Sequence, residues 1–342
     1  MGRGGLGISM VAERFNSNDD ERGAVLAMVC ILMVSLIGCA AFAIDAGSAW
    51  QSQRRIRTAT DAAALAAAGV YATGGDGCAA TDDSYLTAND SAATVTSCSV
   101  LGQTAATPGR VTVTAKRPVN FQFAQIFGVS GIDVKSSTIA RWGNVDGAVG
   151  LRPMALCLYA NPELALWLNL PTGPTADSGT IRIYYNKSQP DACGEGAPGN
   201  WGMLDYNGGS NSNDEARDWV ANGYPGQVSL YDPTIPGDTG SFSNSIEDEL
   251  ASLVGDEFGL PVFDQVSGTG SNAQFRLIAI VKVELVGYEV NGAEADRYLD
   301  IQLKVGNLAG GSCCGGNFNT GARAIDICAV DESFNALNCA NG

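Results

Sequence analysis

The sequence predicts an α+β fold: a long N-terminal transmembrane helix continues onto a small antiparallel sheet, and a β-rich, disulfide-stapled extracytoplasmic domain follows. Three observations predict it. Ala24 to Ile44 is a run of 21 residues without a charge. Residues 45–72 contain no proline and are rich in alanine. Beyond them, short apolar runs of strand character alternate with glycine- and asparagine-rich turns among eight cysteines.

The apolar run has the roughly 20 residues that a helix needs to cross about 30 Å of hydrocarbon. Arg22 precedes it, Asp45 follows it, and Trp50 is spaced for the far interface. Arg3, Arg14 and Arg22 before the run balance Arg54, Arg55 and Arg57 after it, so the positive-inside rule gives no orientation. The cysteines do. Cys78, Cys98, Cys157, Cys193, Cys313, Cys314, Cys328 and Cys339 all follow the run, and an even count suits disulfides in an oxidising compartment. The N-terminus is therefore expected in the cytoplasm and the C-terminal part outside it. Two processing patterns compete with a retained helix: Ala41-Phe42-Ala43 has the form of a signal-peptidase site, and Leu36-Ile37-Gly38-Cys39 that of a lipobox. An unbroken run of this length is long for a signal peptide, which favours the retained single-pass anchor.

The helix is predicted to continue to Ala72, and at 1.5 Å per residue about 49 residues from Ala24 make a rod of roughly 70 Å. Ala62, Ala63, Ala64, Ala66, Ala67 and Ala68 give it a smooth face that another helix or a sheet can approach closely; core packing and an oligomer seam are both open. Thr73-Gly74-Gly75-Asp76-Gly77 stops it, and Cys78 and Cys98 bracket a polar stretch that a disulfide would close into a loop. Arg110–Ala115 and Ile132–Trp142 read as strands, with a short helix over Phe121–Phe127 between them.

Glu21-Arg22-Gly23 before the span, Ala43-Ile44-Asp45-Ala46-Gly47 at its exit and the run from Thr58 to Ala68 together resemble the N-terminal region of TadE/TadG-like proteins of Flp (tight-adherence) pilus assembly. The resemblance reaches through Phe123–Gly128 to about residue 143. It implies a membrane-anchored, non-enzymatic component of a pilus, adherence and secretion apparatus. Its partners would be the membrane, other pilus-assembly proteins and envelope or matrix, and it would need no cofactor. Asp45, Gly47 and Asp61 are the positions of the membrane-exit motif. Two features depart from relatives of this kind. Pilin-like members are cleaved after a glycine with a glutamate five residues on, and here Asn16 stands five residues before Glu21. The Asp-x-Ser-x-Ser metal motif of von Willebrand A domains is also missing.

Charge divides the chain as well. Against 20 Lys+Arg stand 36 Asp+Glu, a formal charge of −16, and residues 145–342 alone hold 9 basic and 25 acidic side chains. The break near Asp146-Gly147 predicts a boundary, giving a cytoplasmic segment 1–23, a span 24–44, an α+β module 45–146 and an acidic β-rich domain 147–342. Such a surface lacks the basic clusters that neutralise phosphates, which excludes a nucleic-acid binder. Histidine is absent, and with it Ser-His-Asp and Cys-His nucleophiles and every histidine-bearing zinc site.

In the outer domain, Met154–Tyr159, Ile181–Tyr185, Gln274–Val290 and Tyr298–Val305 read as strands, and Asp214–Asn222 and Ser245–Val254 as short helices. Cys157 and Cys193 are expected to pair, and the last four cysteines to staple the tail. Asp177-Ser178-Gly179-Thr180 and Asp238-Thr239-Gly240-Ser241 match the aspartic-protease pattern, but 61 residues is a short separation for two lobes, and the pattern is ordinary turn chemistry. Asp205 to Glu215 gathers oxygen ligands as a calcium loop would, yet Ala216 takes the place of the bidentate glutamate. Trp201, Tyr206, Trp219 and Tyr224 beside it read either as a sugar platform on an envelope protein or as buried anchors.

Overall fold

The computed structural model describes residues 17–80, 85–104, 107–159, 162–170, 173–184, 193, 202–209, 213–232, 234–238, 244–268, 272–293 and 296–328. Trp201, Thr239–Ser241 and Cys339 lie outside the described residues, as does everything before Ser17.

Helix α1 is one unbroken element, Ser17–Ala72, of 56 residues. Its alanines, leucines and other good helix formers carry it without a proline. Gly74, in the left-handed region at φ 85°, ends it, with Gly75 N–H returning to Val70 O at 2.9 Å and Gly74 N–H to Tyr71 O at 3.0 Å. The short helices α2 (Gly77–Ala80) and α3 (Leu86–Asn89) follow, then strands β1 (Thr94–Leu101), β2 (Gly109–Asn120) and β3 (Gly131–Ala148), with a 3-10 helix at Ala124–Phe127 between the last two.

The chain divides into two compact units, Met1–Gln53 with Pro118–Val134, and Arg54–Arg117 with Lys135–Gly342. In the first, the apolar side chains of α1 face outward, Ile31, Val34 and Ile37 being 69, 71 and 68% exposed. Among the described residues, α1 is the one helix long and apolar enough to cross a membrane, and it fits a single-pass anchor.

The second unit is β-rich. After β3 come β4 (Leu156–Cys157), helix α4 (Pro162–Leu168), β5 (Thr180–Tyr184), helix α5 (Asn213–Asn222), β6 (Val228–Ser229), β7 (Ile235–Pro236), helix α6 (Glu247–Leu253), β8 (Glu257–Ser267), β9 (Gln274–Glu289), β10 (Tyr298–Lys304), β11 (Gly306–Asn307), β12 (Gly311–Cys313) and β13 (Ala322–Ile327). One sheet has the order β1-β2-β3-β13-β11, with β12 and β6 also on β3; the other runs β4-β8-β9-β10-β5, with β7 on β9. Pairing is mainly antiparallel, β11 with β13 and β4 with β8 being parallel.

Strand β2 alternates as its sequence demands: Val111, Val113 and Ala115 are fully buried and Arg110, Thr112 and Thr114 half-buried. β3 continues through Asp146-Gly147, where composition breaks, and β13 pairs with it from Asn144↔Arg323 to Ala140↔Ile327. Val145, Ala148, Ala322 and Ala324 share a core with Phe275 and Leu277 of β9. A second core gathers Leu156, Leu164, Leu260, Val281, Leu299 and Ile301.

Candidate functional site

Asp45 stands immediately after the apolar run and is 5% exposed. Its Oδ1 accepts the N–H of Gln122 at 2.8 Å, and its Oδ2 those of Ala124 at 2.7 Å and Phe123 at 3.1 Å. The three amides converge because they open the turn into the 3-10 helix Ala124–Phe127, and the first amides of any helix lack carbonyl partners of their own. Gly128, at φ 83°, closes the other end of that turn, and Phe121 N–H reaches Ser130 O at 3.0 Å. Gly131 then lies so close to Val119 O that a Cβ would overlap it. Burial pushes the Asp45 carboxyl up, but the amides of Gln122, Ala124 and Phe123 together outweigh it and hold the group below the ordinary value of 3.8. A charged carboxylate thus clamps a loop drawn from 77 to 79 residues away. Around Gly47 there is open space where a Cβ would stand.

The same unit contains an apolar hollow of about 560 Å³ between Ala41, Phe42, Ala46 and Trp50 of α1 and Phe123 and Phe127 of the clamped loop. Small side chains on the helix leave the room that the aromatic rings only partly fill.

In the second unit, Thr138 of β3 donates its hydroxyl to Asp61 Oδ1 at 2.6 Å. Ala63, Ala64, Ala67 and Ala68 are fully buried, and Ala62 and Ala66 half-buried. Gly69 comes within reach of Asn307 and Ile325, and Tyr71 stacks on Trp142 with ring centroids 5.3 Å apart. Of the two roles open to the alanine face, core packing takes Ala63, Ala64, Ala67 and Ala68, whose methyl groups let the helix lie close to the sheet.

Cys78 and Cys98 are bonded with Cα atoms 5.7 Å apart, and Cys157 and Cys193 with Cα atoms 6.0 Å apart. Cys313 and Cys314 are bonded to each other, and Cys328 is bonded as well. Cys30 and Cys39, on the apolar part of α1, are free and exposed.

The chemistry suggested by local motifs resolves into structural contacts. Asp177 pairs with Lys304 Nζ at 2.8 Å and accepts Val305 N–H at 2.8 Å. Burial pushes the Asp177 carboxyl up, and Lys304 with the Val305 amide brings it below the usual value. Lys304, held by Asp177 and Glu284, is pushed up to about 12. An ion-paired aspartate is the opposite of the proton-sharing acid that a protease dyad needs. Asp205 Oδ1 accepts the amides of Asn207 and Gly208, an Asx turn. Tyr206, Trp219 and Tyr224 pack ring against ring, Tyr206 donating to Arg152 O at 2.8 Å, so they are anchors rather than an open platform. Burial raises the Tyr206 phenol well above its usual range.

Sequence reasoning missed the partners of Asp45 and Asp61, because both are distant in the chain. It also missed Arg323, a residue 7% exposed, whose guanidinium donates to Asn144 Oδ1 and is pushed down to about 10 by burial. No curated protein and no solved structure matches the chain. Residues 23–70, from the start of the span through the alanine face, match the model of the TadE/G-like Flp pilus-assembly family.

Proposed function

We propose that this protein is a single-pass structural component of Flp/Tad pilus assembly, serving adherence and secretion, with its N-terminus in the cytoplasm and its β-rich domain outside. The observation that carries the reading is the family match over residues 23–70, which holds both the exposed apolar helix and the carboxylate that clamps its exit. The cysteines support the orientation. The described ones after Asp45 are all bonded, whereas Cys30 and Cys39 within the apolar run are free, as expected if only the part beyond the run meets an oxidising compartment. Other pilus-assembly proteins at the membrane, and envelope or matrix outside, are the partners this arrangement suits.

Deletion of the gene should abolish surface pili and adherence, and the full chain supplied in trans should restore both. Pili that persist unchanged in the deletion strain would remove the reading. On intact spheroplasts, added protease should digest the β-rich domain and leave a membrane-held fragment that begins upstream of Ala24. Protection of the whole chain would reverse the orientation.

A further inference from the structure

We propose that the loop clamped by Asp45 is a second membrane contact, inserted among the lipids of the leaflet from which α1 emerges. The inference rests on the reading of α1 as a membrane anchor. Three features carry it, all within the unit formed by Met1–Gln53 and Pro118–Val134.

The first is position. The amides of Gln122, Phe123 and Ala124 are bonded to the residue that ends the charge-free run, so the loop is held at the level where the helix leaves hydrocarbon. The second is composition. From Asn120 to Ile132 there is no charged side chain, and Ile126 and Phe127 at the tip are 80 and 85% exposed. With Phe123, Val129 and Ile132 also part-exposed, they make a contiguous apolar patch, and the headgroup–acyl boundary favours rings and branched chains. The third is continuity. Phe42 and Trp50 on α1 are 76 and 65% exposed, and with Phe123 and Phe127 they border one hollow of about 560 Å³. That apolar surface runs on directly from the outward face of the span, which lipid already covers under the anchor reading. Acyl chains that coat Ile37 and Phe42 would therefore also fill the hollow. Trp50 has the amphipathic indole favoured at such interfaces.

The clamp explains how the loop is kept there. A 3-10 turn entering a lipid interface must bring satisfied amides, since unpaired donors are costly away from water. Asp45 supplies acceptors for three of them, and the loop's own carbonyls take those of Gly128 and Val129.

The test uses the full chain reconstituted in vesicles of phosphatidylcholine and phosphatidylglycerol. The photo-crosslinking residue p-benzoylphenylalanine replaces, one at a time, Leu32 in the span, Ile126, Phe127, and Tyr231 on the β-rich unit. All four positions are exposed, so folding should tolerate the probe. After illumination, mass spectrometry should find lipid adducts at Leu32, Ile126 and Phe127 and none at Tyr231. Adducts at Leu32 with none at Ile126 or Phe127 would overturn the inference and leave the anchor standing. Crosslinks from Phe127 to a second copy of the chain in place of lipid would overturn it in favour of self-association. No adduct at Leu32 would remove the anchor and the inference together.

Discussion

The hydroxyl of Thr138, 3% exposed on β3, donates to the Asp61 carboxylate of α1 across 2.6 Å. This bond ties the alanine-rich helix to the strand at one fixed register, and the buried methyl groups of Ala63, Ala64, Ala67 and Ala68 leave the helix no thicker side chain to hold it off. Thr138→Val keeps the shape and removes the donor. It should lower the free energy of unfolding by about 1–2 kcal/mol, measured by denaturant titration. An unchanged midpoint would mean that water takes the place of the hydroxyl.

Ala64→Leu or Ala67→Leu places a branched side chain where there is no space. Each should cost about 1–3 kcal/mol through overpacking. The signature is a lower melting temperature of the purified protein, with any loss of pilus formation following from it. Variants of full stability that still fail to assemble would restore the idea of a seam.

Asp45→Ala should free the amides of Gln122, Phe123 and Ala124, seen as faster hydrogen exchange across residues 118–134 in detergent; Asp45→Asn, which keeps one acceptor oxygen, should fall between it and the native chain. The pH dependence has a definite sign. Because the folded carboxyl titrates below its unfolded value, its contribution is complete above the ordinary carboxylate range near 3.8 and is lost as pH falls through the folded pKa. Protection of those amides should be constant from neutral to mildly acidic pH and decline only below that range.

Cys157 and Cys193 close a loop across 36 positions. The double change Cys157→Ser with Cys193→Ser should cost about 3–4 kcal/mol, mostly by widening the freedom of the unfolded chain. In a thermal melt without reductant the variant should lie below the native protein; with reductant both should fall, since each also loses Cys78–Cys98, and the gap between them should close.

The first half of the fold was legible because its signals are local. A charge-free run, a proline-free alanine stretch and a glycine stop each act within a few residues, and α1 follows them to Ala72. Strand β1 was hidden because it lies at a sheet edge with little buried, so its threonines and serines carry no apolar alternation. β8 carries Gly259 and Pro261 inside it, residue types that weaken a strand's local signal. At Gly259 the side chains of Leu151 and Leu308 fill the space a Cβ would take, and Pro261 sits just outside the two-residue pairing with β4. At the candidate site the sequence marked Asp45 and Asp61 by their place in a motif, but not their work. The donors come from residues 77 to 79 positions later, and no local pattern announces a contact of that span.

The pairing of β13 with β3 sets a clock on biosynthesis. Arg141 and Asp326, which face each other across these strands, are 185 residues apart. At about 5–20 residues per second, a ribosome needs roughly 10–40 s to make that stretch. Throughout that interval the flank of β3 that will receive β13 has only solvent to bond to, an open strand edge of the kind that recruits foreign strands. A nascent chain of this protein is therefore a natural client for a holdase chaperone until Ile327 has emerged. Truncations that stop short of Ala322 should aggregate even though every residue of α1, β1, β2 and β3 is present.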